Sequence, residues 1–185
     1  TFPEDDWSGE LAITGVGLVT PVGLYADATL TALRAGISRL SRLSQLNILV
    51  DESEMDLGIG AEVPWMQKRR LDSDRSFLLM KPALEEVFAS ARLSKSDRIG
   101  AYLGTSGSNP AGRLLNYDKQ HKKNFLDLVP NGFNITHARL VPAGRVSVLK
   151  AIRLAAAAFN EGIIDVAVIG ASDSWINPRS LTWLR

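Results

Sequence analysis

The residues best placed to do chemistry in this chain lie in Val141-Pro-Ala-Gly-Arg145-Val-Ser147, a turn between a strand candidate at 136–140 and a long alanine-rich stretch. A turn that delivers side chains to a helix N-terminus suits a nucleophile, because the macrodipole and the free N–H groups there stabilise a developing anion. A thiolate at this turn is excluded, since the chain contains no cysteine. Ser147 is the only hydroxyl close to the helix start. Its ordinary role is that of a cap or first-turn residue. Serine catalysis needs a general base within reach, and no residue of the sequence nominates itself for that task.

Other chemistry-bearing patterns are weaker. Gly15-x-Gly17-x-x-Thr20 has the outline of a dinucleotide fingerprint, but Thr20 replaces the third glycine and Pro21 follows at once. A tight turn explains it equally well. Gly104-Thr105-Ser106-Gly107 follows a strand, where α/β folds build sites, yet it lacks the Gly-Lys-Ser/Thr ending of a phosphate loop. Lys68-Arg-Arg70 and Lys119-Gln-His-Lys-Lys123 are basic runs without interleaved aromatics, a pattern of solvated faces rather than of nucleic-acid binding. The two histidines, His121 in the second basic run and His137 in a strand, leave little material for a metal site, and cysteine-ligated zinc and disulfides are excluded.

The elements that must position these residues follow from periodicity. The chain has 185 residues, 45% hydrophobic and 22% charged, with a net charge of +1, so neither a nucleic-acid nor a membrane-surface partner is indicated. No apolar run approaches the ~20 residues of a membrane helix. A short buried strand is expected from Leu11, breaking at the glycines. A helix follows at 26–35 around Leu30 and Leu33, with Gly36 as its stop. Residues 38–63 read as loop with a short strand near 57–63. Asp72 or Ser73 caps a helix reaching Ala91, which Pro82 is expected to kink or restart. Strands are expected at 98–104, 136–141 and 165–170, a polar helix near 113–123, and a break at Pro130-Asn-Gly132. The helix at 147–161 should bury Leu149, Ile152, Ala155, Ala156 and Phe159 and end at Gly162. Continuous apolar strands alternating with helices imply an α/β fold with a parallel sheet covered on both faces.

In this order the segments resemble the N-terminal half of a β-ketoacyl synthase, in the thiolase-like superfamily. The resemblance rests on residues 13–23, on Thr31-Ala-Leu-Arg-Ala-Gly-Ile-Ser38, on Leu103-Gly-Thr-Ser-Gly107, and on residues 149–162 followed by 165–173. It implies one ketosynthase-like domain over residues 1–185, a three-layer α/β/α half with a mostly parallel mixed sheet, incomplete at its C-terminus and part of a longer protein. In the family the nucleophilic cysteine opens the helix that ends at Gly162 here. Its place falls on Arg145, or on Gly144 with a one-residue slip, and neither attacks a thioester. Gly144, Arg145, Ser147, Thr105 and Ser106 are then a vestigial pocket. The histidine pair for decarboxylation belongs to the other half of the family's fold, as does a strand that fills the middle of the sheet. A rearranged sheet, a partner strand or further chain is therefore expected.

The role this implies is a non-catalytic partner subunit or scaffold linked to fatty-acid or polyketide acyl chemistry. Two alternatives are a divergent acyltransferase or decarboxylase, and a thiolase-fold adaptor for another protein such as a secreted effector. The resemblance further implies a cytoplasmic protein with no metal or cofactor. It implies a homodimer, or a heterodimer with a ketosynthase-like subunit, paired through the strand bearing Thr136, Ala138 and Leu140, and an acyl carrier protein as a further partner.

Overall fold

The computed structural model describes residues 10–51, 54–66, 75–105, 127–130 and 132–173. In chain order the elements are α1 (Ala26–Arg34), β1 (Leu40–Asp51), β2 (Glu54–Ala61), α2 (Arg75–Ser90), β3 (Ile99–Thr105), β4 (Ile135–Pro142), α3 (Ser147–Asn160) and β5 (Val166–Ala171), with single 3-10 turns at Pro64–Met66 and Gly144–Val146. The architecture is mixed α/β. Strands β3, β4 and β5 form a parallel sheet in the order β4-β3-β5, and β1 and β2 form a separate antiparallel pair.

Strand β3 lies at the centre because nearly every side chain on it is apolar or small. Ile99, Ala101, Tyr102 and Leu103 are all buried. The two-residue period of a strand sends them to opposite faces. Ile99, Ala101 and Leu103 pack with Phe77, Met80, Leu84 and Phe88 of α2, while Tyr102 packs with Ala151, Ala155 and Ala158 of α3. Full burial of side chains the size of Ile99 and Leu103 contributes about 1.5–3 kcal/mol each. The ring of Phe88 meets that of Phe133 at 4.7 Å in a tilted pair, which extends the α2 side of the core beneath the start of β4.

The two helices meet the sheet differently. The buried residues of α3 are Ser147, Ala151, Ala155 and Ala158, all small, and its Cα atoms come within 8 Å of those of β3, β4 and β5. The bulkier Leu149 and Ile152, expected inside, are 67% and 40% exposed. The sheet takes the face whose small side chains permit the closer approach, and Leu149 and Ile152 share the outer side with Lys150 and Arg153. Helices α1 and α3 both end as expected at glycine. Gly36 and Gly162 have φ of +67° and +63°. Gly36 and Ile37 donate N–H bonds to Leu33 and Ala32, and Gly162 and Ile163 to Phe159 and Ala158, the paired bonds of a Schellman stop.

Several elements differ from the sequence reading. The segment from Leu11 is not a strand, and Ile13 is 87% exposed. It lies along α2 instead, where Gly17 comes so close to the carbonyl oxygen of Ala83 that a β-carbon there would collide with it. Both carboxylate oxygens of Glu86 hold this arrangement, one accepting the Leu18 N–H at 2.9 Å and the other the Ala26 N–H at 2.8 Å. Glu86 thus acts from another element as a negative partner for the N-terminus of α1. With this segment elsewhere, β3 pairs directly with β5, and the three described strands of this sheet are all parallel. In α1 the buried residues are Thr29 and Ala32, while Leu30 and Leu33 face outward. The Thr29 hydroxyl donates to the Gly23 carbonyl at 3.2 Å, which turns that face toward the Thr20–Gly23 turn. Residues 40–51, read as loop, form the long strand β1, whose polar-apolar mixture suits a two-stranded hairpin more than a core strand. Helix α2 runs through Pro82 without restarting. Asp72 and Ser73, the loop at 106–110, the helix expected near 113–123, His121 and both basic runs lie outside the described residues.

At the opposite end of the sheet from the turn, Arg98 joins β3 to β5. Its guanidinium reaches Asp165 through Nε at 2.9 Å and Nη2 at 2.6 Å, and its Nη1 donates to the Gly162 carbonyl. The Arg98 N–H also donates to Asp165 at 3.0 Å. These donors hold the Asp165 carboxyl at about 2, below its ordinary 3.8. A depressed carboxylate pKa contributes stability that is complete above the unfolded value and lost as pH falls through the folded one. Asp165→Asn should therefore lower the thermal midpoint at neutral pH, modestly because both side chains are nearly half exposed. The difference from the parent chain should shrink between pH ~4 and ~2. Melting curves across that range check this; a gap that stays constant with pH would show that the ion pair contributes nothing.

Candidate functional site

The parallel sheet gathers the sequence-nominated residues at its carboxyl end. Register places Thr105 opposite Pro142 and Gly104 opposite both Val141 and Ala171. Immediately beyond Pro142 the chain reverses. The Ala143 N–H bonds the Val141 carbonyl at 2.9 Å, and Gly144 takes φ +58°, a conformation open to glycine and strained for other residues. A single 3-10 turn, Gly144–Val146, then leads into α3. The local sequence dictates this form. Pro142 withholds a ladder donor as the strand ends, Gly144 supplies the left-handed step, and Ser147 opens the helix.

Gly144, Arg145 and Ser147 are therefore brought beside Gly104 and the backbone of Thr105, whereas Ser106 lies outside the described residues. The side chains behave in opposite ways. Arg145 is exposed, and no described residue pairs with it. Its cation stands at the positive end of α3, an arrangement that favours solvation or an anion over burial. Ser147 is only 3% exposed and is the first residue of α3, with Val146 as the cap position. It packs directly over Gly104, where a β-carbon would meet the Ser147 hydroxyl, the Ser147 Cβ at 2.9 Å and the Ala171 Cβ at 3.2 Å. The absent side chain at Gly104 is what allows the first turn of α3 to rest on the sheet.

The N-terminus of α2 reaches the same end of the sheet. The Ser172 hydroxyl, just past β5, donates to the Ser76 carbonyl at 2.7 Å. Arg75, the first residue of α2, is buried and pairs with Glu62 at 2.6 Å, with a longer bond of 3.4 Å to the Met66 carbonyl. A buried cation at a positive helix end requires such a partner. Sequence reading missed this pair, because Glu62 and Arg75 are 13 residues apart and neither belongs to a recognisable motif. It also missed Glu86; the only signal was a carboxylate placed on the helix face that carries Ala83.

His137 lies on β4, its ring 5.6 Å from that of Tyr102. The Tyr102 hydroxyl is buried and has no hydrogen-bond partner among the described residues, and burial pushes the phenol above its ordinary value. This pair sits on the α3 side of the sheet, toward the amino ends of the strands, where the Tyr102 ring lies over Gly100. The structure does not bring His137 to the turn. Among the described residues no group of His, Asp and Glu could hold a metal ion, and no helix is long and apolar enough to cross a membrane.

The close contact at the turn gives a direct test. Gly104→Ala should destabilise the chain by about 1–3 kcal/mol, the ordinary cost of overpacking. Adding Ser147→Gly removes the atoms that the new methyl would strike, so the double variant should lose less than the sum of the single losses. Urea unfolding of the four chains measures this; strictly additive losses would mean that α3 does not rest on Gly104. No protein-family model and no curated protein matches this chain.

Proposed function

We propose that this chain is the N-terminal half of a ketosynthase-like, thiolase-type protein that has lost its nucleophile and serves as a non-catalytic partner subunit or scaffold for acyl chemistry. The observation that carries this reading is the exposed Arg145 on the turn between β4 and α3, at the carboxyl end of a parallel sheet and next to the glycine that seats the helix. That is the place the sequence resemblance assigns to the attacking cysteine. Two features lend support. One helix packs against each face of the sheet, as a three-layer half requires. On its outer side α3 also exposes Val148, Leu149 and Ile152 beside Lys150 and Arg153, apolar surface available to a further layer. The burial of Ser147 weighs against the alternative in which its hydroxyl replaces the thiol.

The dimer in this reading forms through β4. Among the described residues, β4 has β3 on one side and no strand on the other, so its outer backbone groups are available for antiparallel pairing with a twofold mate or a ketosynthase-like subunit. Thr136 is exposed, while Ala138 and Leu140 lean into the core on the α2 side. A mate would therefore engage the backbone edge of β4 more than these side chains.

Two experiments test the reading. Incubation with acyl- and malonyl-carrier-protein thioesters should give neither acyl transfer nor decarboxylation; turnover that disappears in Arg145→Ala or Ser147→Ala would overturn it in favour of a divergent enzyme. Light scattering should find a dimer, or a complex when an active ketosynthase subunit is co-expressed. A strict monomer that ignores such a subunit would count against the role as partner, and co-purification of an unrelated protein would point to the adaptor reading instead.

A further inference from the structure

A cavity of about 420 Å³ opens between the N-terminal segment, the Pro64–Met66 turn and the middle of α2. Its walls are apolar at Val19, Leu24 and Pro82, aromatic at Tyr25 and Trp65, and acidic at Glu85 and Glu86. Among the described residues no basic side chain lines it. The volume falls in the range of small-molecule sites, and an apolar lining with a few charged groups is their usual composition.

The two carboxylates have different duties. Glu86 is fixed in the wall, since both of its oxygens accept backbone N–H groups, from Leu18 and from Ala26. Glu85 is exposed, and its ion pair is with Lys81 at 3.9 Å, both side chains being more than half exposed. Such a pair is weak and readily exchanged. The described lining therefore offers aromatic surface, a replaceable carboxylate and acidic rather than basic side chains. Aromatic faces attract cations through their quadrupole, and a neighbouring carboxylate adds charge complementarity.

We propose that this cavity binds a small organic cation, with an ammonium head beside Glu85 and an apolar body against Trp65 and Tyr25. The site is separate from the turn at Arg145 and does not depend on the ketosynthase reading.

The test is calorimetric titration of the full chain with three probes that share one body and differ in head charge: 3-phenylpropylammonium, 3-phenylpropan-1-ol and 3-phenylpropanoate. The ammonium should bind one-to-one and about tenfold more tightly than the alcohol, and the carboxylate should not bind. Glu85→Gln and Trp65→Ala should each weaken the ammonium several-fold, with Trp65→Phe retaining part of the affinity. Lys81→Met, which removes the competing cation, should tighten it. Circular dichroism melts of each variant separate a lost site from a lost fold. Equal affinity for ammonium and alcohol, preference for the carboxylate, no binding at millimolar probe, or affinity unchanged in folded Glu85→Gln and Trp65→Phe would each overturn the proposal.

Discussion

Everything described depends on the burial of β3 from four sides. It has a strand on each edge and a helix on each face, and its residues from Ile99 to Gly104 are all buried. A strand so placed has no solvated face, which is why it reads as a continuous apolar and small-residue run rather than an alternation. The alternation still matters, because it decides which helix each side chain meets. Large side chains on α2 fill the space over Ile99, Ala101 and Leu103, while a row of alanines on α3 closes over Tyr102.

That closeness sets the geometry of the candidate site. An alanine-faced helix can rest on the sheet only if the strand beneath its first turn carries no side chain there, and Gly104 meets that condition. The turn before α3 then has little freedom. Gly144 reverses the chain, Ser147 is driven inward, and Arg145 is left outside. The exposure of Arg145 two residues from the buried Ser147 follows from packing on one side and solvation on the other.

Much of this was legible beforehand. The strands at β3, β4 and β5, the helix between the last two and the glycine stops of α1 and α3 emerge from apolar runs and from glycines placed just past helical periods. The failures have physical causes. The apolar run from Leu11 carries β propensity, but Gly15 and Gly17 lie so near α2 that the segment docks on the helix and leaves the sheet. The inward face of α3 was misjudged because Leu149 and Ile152 are more hydrophobic than Ala151 and Ala158, whereas the sheet selects for size. Strand β1 carries too mixed a pattern to announce itself without β2 opposite.

The sequence by itself determined the α/β class, the parallel elements, the absence of any thiol chemistry and the position of Arg145 at a strand-to-helix turn, because these rest on residue type and local period. Tertiary structure alone decided that β3 meets β5 directly, that Glu86 caps α1 from another helix, that Glu62 neutralises the buried Arg75, and that Tyr25 and Trp65 share a cavity with Glu85. These are contacts between residues distant in the chain. Their energy comes from the closeness of packing and the partnering of buried charge, neither of which leaves a periodic trace in the sequence.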